Sequence, residues 1–307
     1  MLCCYLCVIE FRDLNMKRAA FCIDRNGTVV PSYDLPKGLF RFLYGCAAGR
    51  LMLRWVVKPK TSARCGRLLD SRFSKTLIRP FIRKSGINMA EYIEEKYKSF
   101  NDFFCRTIRE GARPIDRSEK SIVSPCDGKV QAFSIAEDST FTIKGIDYSM
   151  RSLLRDPELA GKYCGGTLML FRLSVDDYHH YCYPVDGIED GSRVLQGVFH
   201  TVNPVAAARK PVYCENSREY SILETENSGD ILLMEVGALS VGKIINLRRE
   251  GLVKKGEEKG HFAFGASSII LCFEKDAVIP DSDIFLNTLR GCETVVKMGT
   301  QVASIVR

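Results

Sequence analysis

A chain of 307 residues in which 46% are hydrophobic and 26% charged has an ordinary globular composition and can bury one large core. Its 13 cysteines are odd in number and scattered, which argues against a disulfide framework and favours a reducing compartment. No second cysteine pair or histidine cluster accompanies Cys4-x-x-Cys7, and no run reaches the roughly 18 apolar residues of a membrane span. The sequence therefore predicts no metal site and no transmembrane helix.

The first 35 residues are expected to form an N-terminal arm. Its apolar start, Met1 to Ile9, is too short to span a bilayer and lacks the basic residues that begin a secretory signal. Met16 offers an alternative start of the native protein. Residues 20–35 favour a short hairpin, with Asn26-Gly27 as its turn.

Residues 36–116 are expected to form a helical region. Apolar residues recur at helical spacing from Phe40 to Trp55, and Pro59 is expected to end that helix. A second helical pattern runs from Leu69 to Phe81, with an interruption at Pro80. Two capping boxes then predict two further helices before a loop at 111–114; they are Asn88-x-x-Glu91 and Ser99-x-x-Asp102.

The same region is strongly basic. From Lys37 to Ala90 there are 13 lysines or arginines against the single acid Asp70, a local net charge of +12, whereas the whole chain carries +7. A solvated face or nucleic-acid binding would also fit this charge, but no nucleic-acid motif is present. Because the aromatic residues lie at helical spacing, the pattern favours basic amphipathic helices on an anionic membrane surface.

From Ser121 onward the pattern changes to strands separated by glycine, proline and aspartate. The predicted strands are 129–133, 168–173, 221–225, 231–236 and 244–248, and one short helix is predicted at 150–154. We therefore expect an α+β fold, with a helical N-terminal membrane-surface region on a predominantly antiparallel β core. Residues 117–307 are expected to form that β-rich domain.

Gly265-Ala266-Ser267-Ser268 lies between two stretches with strand character. Phe262 and Phe264 alternate on one side, and the run from Ile269 to Phe273 is typical of a buried strand on the other. The small residues predict a tight bend or bulge inside one sheet. A serine held in such a bend can act as a nucleophile, although serines are common in bends.

Three short motifs of this sequence resemble motifs of one known family. Residues 124–130 read Ser-Pro-Cys-Asp-Gly-Lys-Val, residues 175–187 contain Asp-Asp-Tyr-His-His-Tyr-Cys-Tyr-Pro, and residues 260–273 contain Phe-Gly-Ala-Ser-Ser. Together they resemble the phosphatidylserine decarboxylases, whose motifs read roughly S-P-x-D-G, D-Y-H-R-x-H-x-P and F-G-G-S-[ST]. The similarity runs from residue 36 to the end in the same order, and it also includes 103–106, 112–115, 200–204 and 235–242.

This resemblance implies a lyase that makes its own cofactor. Decarboxylation of an amino acid leaves a carbanion that needs an electron sink, and the sequence has no convincing lysine site for pyridoxal phosphate. In the family a serine hydroxyl attacks the preceding carbonyl and the chain is cut. The serine becomes a pyruvoyl group (a covalent pyruvate), whose ketone forms a Schiff base with phosphatidylserine. By this match Ser267 is the pyruvoyl precursor, and a cut between Ala266 and Ser267 separates a β chain, 1–266, from an α chain, 267–307.

Other residues take roles from the same motifs. Asp127 matches the aspartate of self-cleavage, and His179 matches the histidine that handles the substrate carboxyl and the proton of decarboxylation. Cys182 stands where the family has a second histidine, the base for chain cleavage, and a neutral thiol is a poor base. Either His179 or Asp127 covers that step, or Cys182 acts as a thiolate, or the chain stays uncut. His180 is expected on the opposite strand face, and His261 is a further candidate base.

The expected product is phosphatidylethanolamine with CO₂, made by a peripheral protein at the cytoplasmic face of the cell membrane. Its two fragments are expected to stay together as a heterodimer, and no nucleic-acid partner is expected. An uncleaved, non-catalytic phospholipid-binding relative is the alternative that Cys182 leaves open. Ala266 replaces a family glycine, which costs about 1 kcal/mol if its φ is positive. The sequence contains no G-x-S-x-G motif, which disfavours a serine hydrolase. It also has no lysine in a tight hairpin of the kind that a carrier domain would need.

Overall fold

The computed structural model describes residues 21–30, 42–238, 243–247, 250–263, 265 and 267–306. Within these ranges the α-helices are α1 (Ala47–Val56), α2 (Pro59–Leu69), α3 (Ile78–Ser85), α4 (Phe100–Phe104), α5 (Met150–Leu154), α6 (Pro157–Lys162), α7 (Pro204–Ala207), α8 (Val212–Glu215) and α9 (Ser282–Leu289). Short 3₁₀ helices span Arg72–Leu77 and Met89–Glu91.

The described strands are β1 (Cys22–Ile23), β2 (Val29–Val30), β3 (Ser121–Val123), β4 (Gly128–Ser134), β5 (Thr140–Ile143), β6 (Ile146–Ser149), β7 (Thr167–Leu173), β8 (His180–Cys182), β9 (Gly187–Leu195), β10 (Arg218–Glu224), β11 (Asp230–Val236), β12 (Ile244–Asn246), β13 (Gly251–Val253), β14 (Glu258–Phe262), β15 (Ser267–Phe273), β16 (Val278–Pro280), β17 (Glu293–Val296) and β18 (Gln301–Ile305).

A ten-stranded sheet forms the centre of the fold, in the order β13-β9-β10-β11-β15-β7-β4-β17-β1-β2. Its neighbouring strands pair antiparallel except for β1 and β17, which are parallel. Two three-stranded sheets, β12-β14-β8 and β16-β18-β3, and the hairpin β5-β6 complete the described sheets. The expected α+β fold with a predominantly antiparallel core is confirmed.

Alternate residues of the central strands supply two hydrophobic layers. In β7, Met169 and Phe171 face one layer, whereas Leu168 and Leu170 face the other. Strand β15 alternates in the same way, because successive side chains of a strand point to opposite faces. The first two residues of β15, both serines, therefore begin on opposite faces of the sheet.

The basic N-terminal helices differ from their prediction at both prolines. Pro59 begins α2 instead of only ending the helix before it, since a proline fits the first helical turn, where its missing N–H has no partner. The second pattern is divided, because α2 ends at Leu69 and a 3₁₀ helix precedes α3. Pro80 lies in the first turn of α3 and interrupts no helix.

The small-residue bend also differs from its prediction. We expected a bulge inside one sheet, but β14 belongs to a three-stranded sheet while β15 lies inside the ten-stranded sheet. The chain therefore passes from one sheet to the other between Phe262 and Ser267. Gly265 has a φ of 138°, a conformation that side-chain-bearing residues rarely adopt.

Most local predictions are confirmed. The hairpin around Asn26-Gly27 is β1-β2, the five predicted strands are β4, β7, β10, β11 and β12, and the helix at 150–154 is α5. The capping boxes begin a 3₁₀ turn at Met89 and α4 at Phe100. Predictions for residues 1–20, 31–41, 239–242, 248, 264 and 266 lie outside the described residues. No described helix has both the length and the apolar character needed to cross a membrane.

Candidate active site

Two antiparallel strand pairs bring His179 and Ser267 to one junction. Leu173, the last residue of β7, is paired with Ser267, the first residue of β15. On the next pair, the backbone N–H of Phe262 donates to the carbonyl of His179 at 3.0 Å. Strand β7 is followed by β8, and β14 is followed by β15, so the β7-β15 ladder and the β8-β14 ladder meet where His179 and Ser267 lie.

Ser267 is buried with its hydroxyl unengaged. Only 2% of the residue is exposed, and its Oγ has no hydrogen-bond partner among the described residues. Its neighbour Ser268 faces the opposite layer, where Tyr213 lies close to it. A hydroxyl without a partner in a dry site is unusual, because buried polar groups are normally hydrogen-bonded. The Oγ of Ser268 is also buried without a described hydrogen-bond partner, so the motif match and the face of the sheet, not this feature alone, distinguish the two serines.

His179 is held as a neutral base. Its Nδ1 lies 2.9 Å from the carbonyl oxygen of Asp177, and because that oxygen can only accept, Nδ1 carries the proton. Its ring packs on Phe104 with centroids 4.1 Å apart. Complete burial lowers the pKa of His179 to about 3, although the Asp177 carboxylate opposes this shift. Its Nε2 therefore keeps a free lone pair, with no partner in the described part of the chain.

Asp127 is the centre of a buried charge network. Arg113 donates to both its carboxylate oxygens, from Nε at 2.8 Å and from Nη2 at 2.6 Å, and the backbone N–H of Met298 donates at 2.8 Å. The Lys297 ammonium lies 3.3 Å away. Burial by itself would lower the pKa of Arg113, but Asp127 and Glu91 raise it well above its usual value. None of these contacts joins Asp127 to a histidine.

Cys182 lies beside the segment that carries Asp127. Its backbone N–H donates to the Pro125 carbonyl at 2.8 Å, and its Sγ lies 3.9 Å from the Ser124 carbonyl oxygen. Burial, helped by the Asp127 charge, raises the pKa of the Cys182 thiol to about 12. At neutral pH the thiol is protonated, which disfavours the thiolate alternative.

Comparison with known proteins decides the family. The sequence profile of the family described as phosphatidylserine decarboxylase matches residues 100–304, more than half of the chain. The chain belongs to the phosphatidylserine decarboxylase family. A relative from Fusobacterium nucleatum, named phosphatidylserine decarboxylase proenzyme, is 40% identical over 93% of this chain and 97% of its own length.

Two further relatives of this family cover the chain almost as fully. Phosphatidylserine decarboxylase proenzyme 2 of Clostridium acetobutylicum is 40% identical over 86% of this chain and 91% of its own. The phosphatidylserine decarboxylase proenzyme of Ruminiclostridium cellulolyticum is 42% identical over 87% and 91%. Membership of this decarboxylase family makes the chain a lyase.

The two remaining histidines of the motifs contact each other, not Ser267. His180 lies 2.7 Å from Glu258 through Nδ1 and 3.1 Å from the Cys105 carbonyl through Nε2. The ring of His261 stacks on His180 with centroids 4.9 Å apart. Burial, with the neighbouring His180, lowers the pKa of His261. His180 thus has partners separate from those of His179, as its position on the strand predicts.

Three residues that support this decarboxylase-family site were not predicted from the sequence: Arg113, Lys129 and Gly128. Arg113 lies inside a matched stretch, but its role as the partner of Asp127 depends on contacts that the sequence does not reveal. Lys129 pairs with Asp177 at 2.6 Å, which fixes the loop whose carbonyl holds His179. Gly128 permits close packing of β4 on β7, because a Cβ there would lie 2.8 Å from the carbonyl oxygen of Arg172. The Asp-Gly pair in the motif was the available signal.

Proposed function

We propose that this chain is the proenzyme of a phosphatidylserine decarboxylase. It cuts itself between residues 266 and 267 and then converts phosphatidylserine to phosphatidylethanolamine and CO₂. The observation that carries the proposal is that one strand junction holds both residues, His179 with a buried, unprotonated Nε2 and Ser267 with a buried hydroxyl, neither atom having another described partner. The names of the curated relatives, which call them proenzymes, support the same reading.

Self-cleavage needs a base and then an elimination. Nε2 of His179 takes the Ser267 hydroxyl proton while Oγ attacks the carbonyl carbon of residue 266, and the peptide C–N bond breaks to leave an ester and a free amine. Loss of the α-proton of residue 267 then expels the carboxylate of residue 266. Water then hydrolyses the resulting enamine of residue 267, and its nitrogen leaves as ammonia. A ketone remains at the new N-terminus.

The residues around this junction fit a pyruvoyl group at position 267. The Oγ of Ser267 and the Nε2 of His179 are both buried without partners, so a carbonyl formed there has a base nearby and little water. After a cut, β15 stays paired with β7 and β11, which holds the new N-terminus in place. Such a group supplies the electron sink that decarboxylation requires.

Each charged or polar neighbour has a distinct part in the proposal. Asp127, fixed by Arg113, lies close to Cys182 and orders the segment 124–128. Nε2 of His179 takes up a proton that the substrate ammonium releases and returns it to the product carbon after CO₂ has left. Cys182 is a small buried side chain and not the base.

The basic helices supply a surface for the lipid substrate. The large apolar side chains that they expose are Phe42, Leu51, Met52, Trp55, Leu68, Phe73 and Leu77. Phe73 is 88% exposed and Trp55 is 67% exposed, with the Lys58 ammonium 4.3 Å from the Trp55 ring centroid. Apolar side chains surrounded by cations suit the boundary between headgroups and acyl chains of an anionic bilayer.

The mass of the purified chain tests the self-cleavage. The unsubstituted protein is expected to give fragments 1–266 and 267–307, the smaller one blocked to N-terminal sequencing. Because the nitrogen of residue 267 is exchanged for oxygen, the two fragment masses should exceed the precursor mass by about 1 Da in sum, whereas hydrolysis adds about 18 Da. Ser267→Ala should give one uncut chain without decarboxylase activity.

Ser268→Ala is the matched control, because it removes the same hydroxyl from the opposite face. It is expected to be cut normally. Two fragments from Ser267→Ala would contradict the assignment and make Ser268 the nucleophile. A single full-length chain from the unsubstituted protein would favour the uncleaved phospholipid-binding alternative.

Binding to vesicles of phosphatidylserine tests the membrane surface. Exposed charges are screened over about 8 Å at physiological ionic strength, so binding should weaken markedly as salt rises. Replacing both Trp55 and Phe73 with alanine should weaken it about tenfold or more, since burying one such side chain contributes about 1.5–3 kcal/mol. Leu289→Ala, at a residue 70% exposed on α9, is the control and should not change it. Absence of vesicle binding would overturn the surface assignment.

A further inference from the structure

A cluster of two histidines and a glutamate lies on one face of the β8-β14 ladder. His261 stands directly opposite His180, and Glu258 stands opposite Cys182 on the same face. Potential ligand atoms of His180, Glu258 and His261 all lie within 4.8 Å of one another. The contacts of Ser267, His179 and Asp127 described above do not include this cluster.

A β-bulge builds this arrangement. Residues 258 and 261 are three apart, so on a regular strand their side chains would point to opposite faces. The register of β14 against β8 shifts between Glu258 and Gly260, which turns both side chains to the same side. The bulged residue, Lys259, points inward and pairs with Glu189 and Glu235, each at 3.0 Å. That buried network anchors the bulge.

The ring of His180 is fixed in place by its neighbours. Tyr178 stacks on it at 4.9 Å with an interplanar angle of 3°, and His261 stacks at 4.9 Å with an angle of 22°. Both ring nitrogens of His180 face acceptors, the Glu258 carboxylate and the Cys105 carbonyl. A neutral imidazole can donate to only one of them. Either a second proton or a cation between Nδ1 and Glu258, with Nε2–H donating to Cys105, satisfies both acceptors.

We propose that His180, Glu258 and His261 bind one divalent transition-metal ion, with zinc as the best fit. Two imidazoles and a carboxylate are a recurrent zinc ligand set, and a water molecule completes the tetrahedron. The His180 Nε2–H bond to a backbone carbonyl is the outer contact that metal-bound histidines usually make.

Occupation requires small side-chain movements. Ligand atoms about 2.0–2.1 Å from zinc lie about 3.3 Å apart, so the pair of His180 and Glu258 opens slightly from 2.7 Å. His261 turns its ring so that the lone pairs converge. The side chain of Glu258 is 47% exposed, which gives it the freedom to move and gives the ion a path from solvent.

The bound ion would cross-link neighbouring segments of the fold. It joins β8 to the strand that leads into the cleavage segment, and through His180 it holds the Cys105 carbonyl of the N-terminal region against the β core. Metal binding can be measured whether or not the chain cuts itself, so this proposal does not rest on the proposed self-cleavage.

Metal binding is measured on the full chain after removal of adventitious metal with a chelator. Titration with Zn²⁺ alone is expected to show one saturable site and a higher unfolding temperature, because a ligand that binds only the folded state stabilises it. His261→Gln and Glu258→Gln should each weaken binding about tenfold or more. Glu257→Gln, the same change one residue earlier, is the matched control and should retain binding.

Co²⁺ is the probe that distinguishes metal binding by His180, Glu258 and His261 from metal binding by cysteine side chains. A site of histidine and carboxylate ligands gives cobalt absorption without the thiolate charge-transfer band that cysteine ligands produce. No saturable Zn²⁺ binding would overturn the proposal, and so would a thiolate band or binding that survives in both His261→Gln and Glu258→Gln. Since Glu258 is half exposed, its variant should fold even if the histidine variant does not.

Discussion

Replacing His179 with glutamine is expected to slow self-cleavage by about 10²–10⁴-fold, the usual contribution of a positioned general base. Glutamine can still hydrogen-bond to the Asp177 carbonyl, but it cannot accept the Ser267 proton. Any chain that is cut should show no decarboxylation, because the same nitrogen is proposed to return the proton to the product. The fraction of cut chain after fresh synthesis, followed by gel or mass spectrometry, measures the first effect.

Variants of Cys182 separate the competing bases. Cys182→Ala should be cut at close to the normal rate, since a thiol whose pKa is about 12 is not a base near neutral pH. Cys182→His should keep or speed cleavage. Loss of cleavage in Cys182→Ala would make the cysteine the base, and cleavage of His179→Gln at the normal rate would remove His179 from that step. Full decarboxylase activity in His179→Gln would show that His179 has no role in decarboxylation either.

Burial of His179 predicts how the cleavage rate and the stability of the fold depend on pH. A pKa of about 3 keeps Nε2 unprotonated, so protonation of His179 should not limit the cleavage rate between about pH 5 and 8. The pKa in the unfolded chain is about 6.5. Between these values the unfolded chain binds more protons, so the stability contributed by this residue is complete above pH 6.5 and is lost as the pH falls toward 3. In His179→Gln this part of the pH dependence should disappear.

Arg113→Ala is expected to destabilise the fold by about 3–5 kcal/mol and to stop cleavage, because it leaves a buried carboxylate without its main partner. Asp127 is only 1% exposed, and the remaining cation, Lys297, is 56% exposed. Arg113→Lys keeps the charge but not the two parallel hydrogen bonds, so an intermediate loss is expected. Urea unfolding should be measured in the uncut Ser267→Ala chain, so that every variant is compared as one intact polypeptide.

A double variant distinguishes stability from function. Replacing Arg113 with methionine and Asp127 with leucine together should recover most of the lost stability, because apolar pairs often replace buried ion pairs without loss. Cleavage, tested with Ser267 restored, should stay absent. Lys254→Ala, at an exposed residue 3.7 Å from exposed Asp186, is the control and should cost about 1 kcal/mol or less. Normal cleavage in the double variant would show that Asp127 has only a structural role.

The sequence alone predicts the local structure of this protein well. Alternation and punctuation located β4, β7, β10 and β11, and Asn26-Gly27 located the first hairpin, because strand period and turn chemistry are properties of neighbouring residues. The ordered motifs likewise predicted the family, which the comparisons confirm. These signals need no knowledge of which segments meet in space.

Only the tertiary structure decided which groups meet and in which ionisation state. The pairing of Arg113 with Asp127 depends on how a loop packs on β4, and the joint facing of Glu258 and His261 depends on a bulge that spacing does not reveal. The ionisation of His179 and Cys182 follows from burial, which raises the free energy of a charged form by an amount set by the surrounding atoms. Sequence therefore determined the residue types and their order, whereas packing determined which nitrogen is free to act as a base.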